Sequence, residues 1–541
     1  MTSPATVDTR VEDPEYPGTI TLVDFTGTVH AKHSAAHKEI VLNPTPSSDP
    51  EDPLNWSRAR KWRSTACALF YTWCVCVSSS ACYSVFSPIN AESGISFTRL
   101  NEGTGYMYLL FGWGLLLWQP VGLVFGRRGV YLISLLGTAM FNVWAGYCKT
   151  NGTWAASRTL IGFFGAPSEA LVEITMADLW FTHERGTFMG LYVMCLFGGQ
   201  LGCVPAGFIN DSQGWPWVLF WCAILNAIGF GVCFFFMEET KYTRHVAEPV
   251  ASSSTSQDDA TLEKPAEKTP AHDVNGEVDI VSHNSYPVKS YWQKLAPFSN
   301  GTGFTRQFLK GVMGPAVMLQ FPTVVFSGFI YGCYLCWFAL VNATVSLIFA
   351  SPPYSFKADI VGLTYIAEVI GTMLSAYGAG TVADMLSIRL AKRNKGVLEP
   401  EFRLWLFAAG CILTPLGILL YGVGAAHGIS WVGLVFGMAF IGFMSPASGS
   451  IVVSYVVDCC GELSGEAMTT VVLIRNTMNF GFNYGVTPWL DHSGYQNTFI
   501  VAAVLALVTT LSFLIMIKWG KQSRKLTAKL YWRRMRKGNH I

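Results

Sequence analysis

An all-α integral membrane protein of twelve helices, arranged as two pseudo-symmetric six-helix bundles, is the fold class this sequence predicts. Three observations carry it. Charged residues make up only 13% of the 541 and hydrophobic residues 51%, whereas a soluble chain needs about a quarter charged residues to cover its surface. The apolar residues fall in blocks of about twenty with almost no charge, the length that crosses a hydrocarbon core roughly 30 Å thick. Lysine and arginine lie almost wholly on one side of the topology those blocks define.

The first six blocks are Trp62–Phe86, Thr104–Phe125, Val130–Cys148, Trp154–Leu179, Gly186–Ile209 and Trp217–Met237. A polar stretch follows, then Pro322–Phe349, Ile360–Val382, Leu404–Val423, Trp431–Val453, Ala467–Trp489 and Phe499–Trp519. The domains are therefore a cytoplasmic, largely disordered tail (1–61), an N-terminal six-helix bundle (62–237), a cytoplasmic central loop (238–321), a C-terminal six-helix bundle (322–519) and a basic cytoplasmic tail (520–541). Within the central loop, Val246–Asp273 is rich in Ser, Thr, Glu, Lys and Pro and has no apolar period, which reads as a disordered linker between the bundles.

With both termini in the cytoplasm, 32 of the 37 Lys and Arg residues fall inside and only Arg99, Lys149 and Lys357 outside. That asymmetry is what the positive-inside rule requires. Asn151 and Asn210 head Asn-X-Ser/Thr sequons in the outer loops and are the expected glycosylation sites; Asn55, Asn300 and Asn342 head sequons in the cytoplasm or a span. A multi-pass protein of the plasma membrane, monomeric, with the bilayer as its solvent, is the expectation.

Several function classes are disfavoured. The 14 cysteines lie mostly inside apolar spans, where a thiol behaves as a small hydrophobe, and Cys333–Cys336 lacks the second pair a metal site would need. The basic residues are scattered among short loops and tails, so nucleic acid is not an expected partner. No Gly-rich phosphate loop of the ATPase type is present. None of the ten histidines falls in a span, which disfavours an enzyme and any metal or other cofactor, and leaves a proton relay to carboxylates.

An ionisable side chain at mid-membrane is costly unless paired or facing water, so each is a candidate functional residue. In the fourth span, eleven residues at about 100° each bring Glu169 to within about 20° of the face of Arg158, and Glu173 lies about 40° further round; all three are expected to face one cavity. Two carboxylates at i and i+4 in a low dielectric repel, so one of them is expected to hold a proton near neutral pH. Glu368 lies near the middle of the eighth span. Arg475 lies in the eleventh, followed at helical spacing by Asn476, Asn479 and Asn483. A Glu368–Arg475 pair, static or gating, is open on this reading. Tyr83, Tyr331, Tyr334 and Trp337 offer ring faces to a cation or a flat apolar substrate, or simply pack.

Short motifs choose among the transporter folds that twelve spans permit. The second–third loop holds Gly126, which allows a tight turn, then Arg127 and Arg128; the fifth span ends in a run of small residues with Pro205 and Gly207. With Asp52-Pro-Leu-Asn-Trp56, Asp178-Leu-Trp-Phe-Thr-His-Glu-Arg-Gly186, Glu238-Glu-Thr-Lys-Tyr242 and Glu401-Phe-Arg-Leu-Trp405, the chain resembles the major facilitator superfamily. Within it, the resemblance is to the fungal drug:proton antiporter group with twelve spans, in the branch of the yeast polyamine and organic-cation (histidinol-type) permease, and it runs from Asp52 to the last span.

The resemblance implies a secondary carrier working by alternating access, with the two bundles rocking about a mid-membrane site. Proton-coupled efflux of a small organic compound such as a fungal secondary metabolite, toxin or drug is the leading reading. Proton-coupled uptake of polyamines or other organic cations is the alternative, and a non-transporting nutrient sensor a minor one. The resemblance also implies a proton-transfer role for Arg158 and gating roles for Gly126, Arg127 and Arg128. Two departures matter. Leu123 stands where the superfamily's loop motif carries an acid, which leaves the cytoplasmic lock without it; Asp384 in the second half is a partial echo. The fifth-span motif lacks its usual Gly-Pro pair.

Overall fold

The computed structural model describes residues 17–18, 20–21, 49–242 and 304–539 except 395–396, with isolated positions at 293, 295, 296 and 298. The linker Val246–Asp273 and most of the N-terminal tail lie outside the described residues. Among those described, eleven helices are long and apolar enough to cross a membrane. The first six are Arg58–Ser93, Phe97–Phe125, Arg127–Gly146, Asn151–Leu179, Thr187–Gln213 and Trp215–Phe236. The rest are Pro322–Ala350, Ala358–Ala376, Pro400–Ala426, Trp431–Cys460 and Ser464–Arg536.

The eleventh is 73 residues long and is not one straight rod. Gly494 has φ +70° and ψ 165°, outside the helical region. The Thr498 hydroxyl donates to the Trp489 carbonyl at 3.4 Å, whereas nine residues of continuous helix would set them about 13 Å apart. The chain doubles back there, between the blocks Ala467–Trp489 and Phe499–Trp519, and the two arms are referred to below as the eleventh and twelfth passes.

Polar caps extend most helices a few residues beyond the apolar blocks. Ser57 caps the first helix by accepting from the Arg60 amide, and Gly94 ends it in a left-handed conformation. Ser96 caps the second, and Thr150 forms a reciprocal box with Thr153 at the fourth. The basic tail is also helical, as part of Phe513–Asn539. Two segments depart from the sequence reading. A helix Phe304–Met318 occupies the end of the central loop, too short to cross; it packs where Gly311 meets Pro120 and the Pro315 carbonyl accepts from Thr470 at 2.9 Å. A two-residue strand, Ile20–Thr21, pairs antiparallel with Val397–Leu398.

The two halves meet along two seams, second helix on eleventh pass and fifth helix on eighth. At the end away from the termini both are tight. Gly207 lies so close to the backbone of the eighth helix that a Cβ there would stand 2.2 Å from the Ala358 carbonyl oxygen. Asn101 donates to Thr487 at 3.0 Å, and the Ser87 amide to Ser346 at 3.0 Å. This end is sealed by direct contact of backbones and short polar bonds, the close helix approach that small residues permit. All fourteen cysteines are free thiols, with Cys333 and Cys336 buried in the seventh helix.

Candidate substrate site between the two halves

Three helices of the first half lose α-helical geometry near one place. In the fourth, Pro167 has no amide hydrogen, and residues 166–169 tighten into a 3-10 turn. The freed carbonyls find side chains: Phe163 accepts from Trp118 Nε1 at 2.9 Å, Phe164 from Ser134 at 2.6 Å, and Ser168 and Glu169 from the Tyr192 hydroxyl, both at 2.9 Å. The first helix tightens at Ala81–Val85 and the fifth at Gly198–Gly202. Ser80 of the first donates to Gly199 of the fifth at 2.8 Å, joining the two interruptions. Broken backbone at membrane depth survives only where protein or a polar cavity satisfies it, and here each break borders a cavity.

That cavity is narrow, with a volume of about 50 Å³. The first half lines it with Cys76, Ser79, Ser80, Tyr108, Phe111, Glu169, Leu196, Phe197 and Gln200, and the second with Leu335, Phe338 and Arg475. Glu169 and Arg475 form an ion pair across it, both buried. Counted along the fourth helix and the eleventh pass, the pair lies about 15 Å from each helix's end on the side of the termini. The Arg475 guanidinium also lies over the Tyr331 ring, 4.5 Å from its centroid. A membrane ion pair that joins the two halves and borders a cavity is a group that a substrate or a proton can compete for.

The remaining sequence candidates are distributed differently from expectation. Because the fourth helix breaks at Ala166–Glu169, its helical wheel does not carry through, and Arg158 does not share a cavity with Glu169. Arg158 is fully buried behind the cavity wall, donating to the Ser79 carbonyl at 2.6 Å, with its guanidinium 5.7 Å from the Trp154 ring centroid. Glu173, one turn past the break, is half-buried and has no hydrogen bond or ion pair among the described residues. Glu368 does not pair with Arg475; it accepts from Asn342 at 3.2 Å. Asn476 faces the seam instead of the cavity, since a Cβ on Gly112 would stand 2.9 Å from its own Cβ. Asn479 accepts from Asn483 at 3.0 Å within the same pass.

Of the aromatic candidates, Tyr331 alone touches the charged pair. Tyr83 stands behind Tyr108, its hydroxyl 3.5 Å from the Tyr108 hydroxyl. Tyr334 stacks on Phe407 and receives a bond from Thr510 at 3.3 Å, and Trp337 meets Phe482 edge-on, so both pack within the second half and do not line the cavity. The helical period separates them. Leu335 and Phe338 lie within about 40° of Tyr331 on the helix face, while Tyr334 and Trp337 are turned about 60° and 120° away. The lining residues Tyr108, Gln200 and Ser79 carried no signal of their own, because polar and aromatic residues recur throughout these spans.

The motif residues gather at the other end of the molecule, in a belt around the helix ends near the termini. Gly126 has φ +111°. It opens the third helix, whose first amides, Arg127 and Arg128, donate to Glu239 at 2.9 and 3.1 Å; a carboxylate at a helix N-terminus is stabilising. Arg127 pairs with Asp178 at 2.9 Å, and Arg128 donates to the Phe234 carbonyl at 2.6 Å. The Gly126–Arg128 turn thus meets acids despite Leu123: Asp178 and Glu239 supply them. Glu238 pairs with Arg60 at 2.5 Å and with Arg63. Lys241 donates to the Val124 carbonyl at 2.5 Å, and its partial burial, with Arg127 nearby, lowers its proton affinity against the pull of Glu239. The second half repeats the scheme: Arg403 pairs with Asp458 at 2.7 Å, and the buried Arg524 with Glu401 at 2.7 Å.

Pro205 faces outward just after the 3-10 turn of the fifth helix, and Gly207 makes the contact described above. Asp384 lies in the helix Ala358–Arg393, and its side chain is outside the described residues, as are those of His183 and Arg185. Asn151 is exposed at the start of the fourth helix, whereas Asn210 is inside a helix with its amide donating to Asp211 at 3.1 Å.

The model of the family described as Major Facilitator Superfamily matches residues 68–481. The chain belongs to that superfamily. An uncharacterised transporter of this type from Schizosaccharomyces pombe is 31% identical, with 96% of this chain and 94% of the relative covered. Protein HOL1 of Saccharomyces cerevisiae is 27% identical over 97% and 98%, and efflux pump vrtL of Penicillium aethiopicum 25% identical over 87% and 86%. The crystal structure of the human organic anion transporter TETRAN shares the fold at TM-score 0.52 and 14% identity, covering 84% of this chain and 99% of that one. This protein is thus a multi-pass membrane transporter, and not an enzyme, of a fungal branch of the superfamily.

Proposed function

We propose that this transporter carries a small organic compound by alternating access, coupled to protons, and that it works as an efflux carrier of the plasma membrane with both termini in the cytoplasm. The observation that carries the reading is the Glu169–Arg475 pair, which borders the cavity and spans the two halves. A substrate or proton that neutralises Glu169 frees Arg475 and loosens the second half from the first. Efflux is favoured over uptake by relatives whose names are those of efflux pumps, vrtL among them. The bundles that rock are 62–237 and 322–519, joined by the central loop. Glu169, Glu173 and Arg475 contact substrate or proton, Arg158 backs the cavity wall, and the belt of Arg127, Arg128, Asp178 and Glu239 steadies the gate on the cytoplasmic side.

The second reading, proton-coupled uptake of polyamines or other organic cations, rests on Glu173, a half-buried carboxylate with no partner among the described residues, one turn from the pair. The test is labelled spermidine accumulation against external pH in yeast lacking its own polyamine uptake, with Glu169→Gln alongside and surface expression measured. Proton-dependent accumulation abolished by the variant overturns efflux in favour of uptake. Absence of accumulation from surface-expressed protein upholds efflux, and metabolites retained in cells lacking the carrier then identify the substrate.

A further inference from the structure

A second carboxylate is buried apart from the central cavity, on the sealed side of it. Glu368 of the eighth helix is 0% exposed. It lies about 9 Å along that helix from Gly362, where a Cβ would stand 2.7 Å from the Cys203 carbonyl oxygen of the fifth helix, in the seam that closes the end away from the termini. Its Oε1 accepts from Asn342 Nδ2 at 3.2 Å. Its Oε2 is buried and has no hydrogen-bond partner, and the same is true of Asn342 Oδ1.

The bonding of Asn342 shows what is missing. A primary amide has two N–H donors and one carbonyl acceptor. One donor goes to the Phe338 carbonyl at 2.9 Å and the other to Glu368, so only the amide oxygen is left over. A carboxylic acid beside a primary amide makes a reciprocal pair: the amide N–H donates to one acid oxygen, and the acid O–H donates to the amide oxygen. One proton on Glu368 Oε2 supplies the donor that both orphans lack. An ionised Glu368 would instead be a buried charge held by a single neutral donor, the arrangement that low-dielectric surroundings penalise most.

The neighbours offer no countercharge. The seventh helix presents Asn342, and the tenth presents Gly442, whose Cβ position is 2.8 Å from the Glu368 Cγ. The titratable groups within reach of its charge are Cys203 of the fifth helix, Tyr365 of its own and Tyr421 of the ninth. No lysine, arginine or histidine pairs with it among the described residues.

We infer that Glu368 and Asn342 form a proton-binding site of the closed gate, occupied as a neutral acid–amide pair while the end away from the termini is sealed and brought into exchange with protons outside when that seam parts and water reaches the carboxyl. This deepens the transport reading above and rests on it: the coupling proton is held here, separately from the Glu169–Arg475 substrate site. Parting the fifth and eighth helices removes the wall that keeps Glu368 dry. The carboxyl can then exchange its proton with water on the side that has opened, where the coupling proton is loaded.

Infrared spectroscopy of the purified full-length protein tests the proton site without any substrate. At neutral pH the wild type is expected to show the carbonyl stretch of a protonated carboxylic acid, and Glu368→Gln to remove the intensity of one such group while Glu169→Gln leaves it. Asn342→Leu is expected to weaken or shift the same band. Spectra in which Glu368→Gln removes no protonated-carboxyl intensity overturn the site. A second measurement addresses coupling, with labelled spermidine in proteoliposomes. Glu368→Gln is expected to keep exchange at equal concentration and to lose accumulation driven by a pH gradient. Gradient-driven accumulation within twofold of wild type overturns the coupling role. Spermidine that wild type does not move contradicts the uptake reading alone, because the infrared result stands without it.

Discussion

Removing Arg475 alone is expected to cost more than removing both members of the Glu169–Arg475 pair. Both side chains are buried, Glu169 at 8% exposure and Arg475 at 3%. Breaking a buried pair by deleting one partner costs about 3–5 kcal/mol, because the survivor is an uncompensated charge. The two variants differ in what the survivor keeps. In Glu169→Gln, Arg475 retains the face of Tyr331, 4.5 Å away, an interaction worth about 2 kcal/mol when desolvated; a net loss of about 1–3 kcal/mol follows. In Arg475→Met, Glu169 keeps no cation among the described residues, and the full about 3–5 kcal/mol is expected. The double variant Glu169→Gln/Arg475→Met strands no charge and is expected to lie within about 1 kcal/mol of Glu169→Gln alone. The assay is unfolding of the purified protein in detergent, followed by tryptophan fluorescence and treated as a double-mutant cycle. Additivity of the two single costs to within about 0.5 kcal/mol would refute the pairing, since residues that do not interact add.

Further consequences follow from the seams and the belt. Gly207→Val places side-chain atoms against the Ala358 carbonyl, which stands 2.2 Å from where a Cβ would be, so the fifth and eighth helices are expected to part; transport falls at least tenfold with surface expression retained, and a cysteine placed at Ala358 becomes reactive to a thiol reagent added outside. Gly126→Ala forces a side chain into φ +111° and against the Glu239 carboxylate, 2.4 Å from the new Cβ; a loss of about 1–3 kcal/mol is expected, read as a lower midpoint of thermal unfolding. Arg524→Ala strands Glu401 and removes the donor that holds the Pro17 carbonyl at 2.9 Å; limited proteolysis is expected to cut near Pro17 faster than in wild type. Tyr192→Phe leaves two carbonyls of the broken fourth helix without their hydroxyl, at about 1–3 kcal/mol, and is expected to lower thermal stability while leaving the belt pairs intact.

The apolar blocks, their polar ends and the sidedness of the cations are local properties, and the sequence by itself determined them. A bilayer allows no unpaired backbone, so twenty apolar residues can only be a helix; the true starts after Ser57, Ser96 and Thr150, a few residues before the apolar blocks, came only with the structure. The motif pieces at Gly126, Asp178, Glu238 and Glu401 were equally legible, because each sits at a helix end whose position the blocks already define. The face each helix turns inward was not. Spans such as Pro322–Ala350 are apolar all round, so periodicity gave no direction, and Tyr334 and Trp337 looked as eligible as Tyr331.

Only the tertiary structure decided the partners. Glu169 and Arg475 are 306 positions apart, on elements brought together by the packing of one half on the other. Glu368 found Asn342 because the seventh and eighth helices present those residues to one another, not because either sequence neighbourhood names a partner. The interruption at Ala166–Glu169 explains why helical counting misplaced Arg158 relative to Glu169. Pro167 breaks the hydrogen-bond ladder, and the turn it leaves depends on Trp118, Ser134 and Tyr192 from three other helices to satisfy the freed carbonyls. A rule that assumes continuous helix holds only up to the first residue whose backbone is bonded from elsewhere.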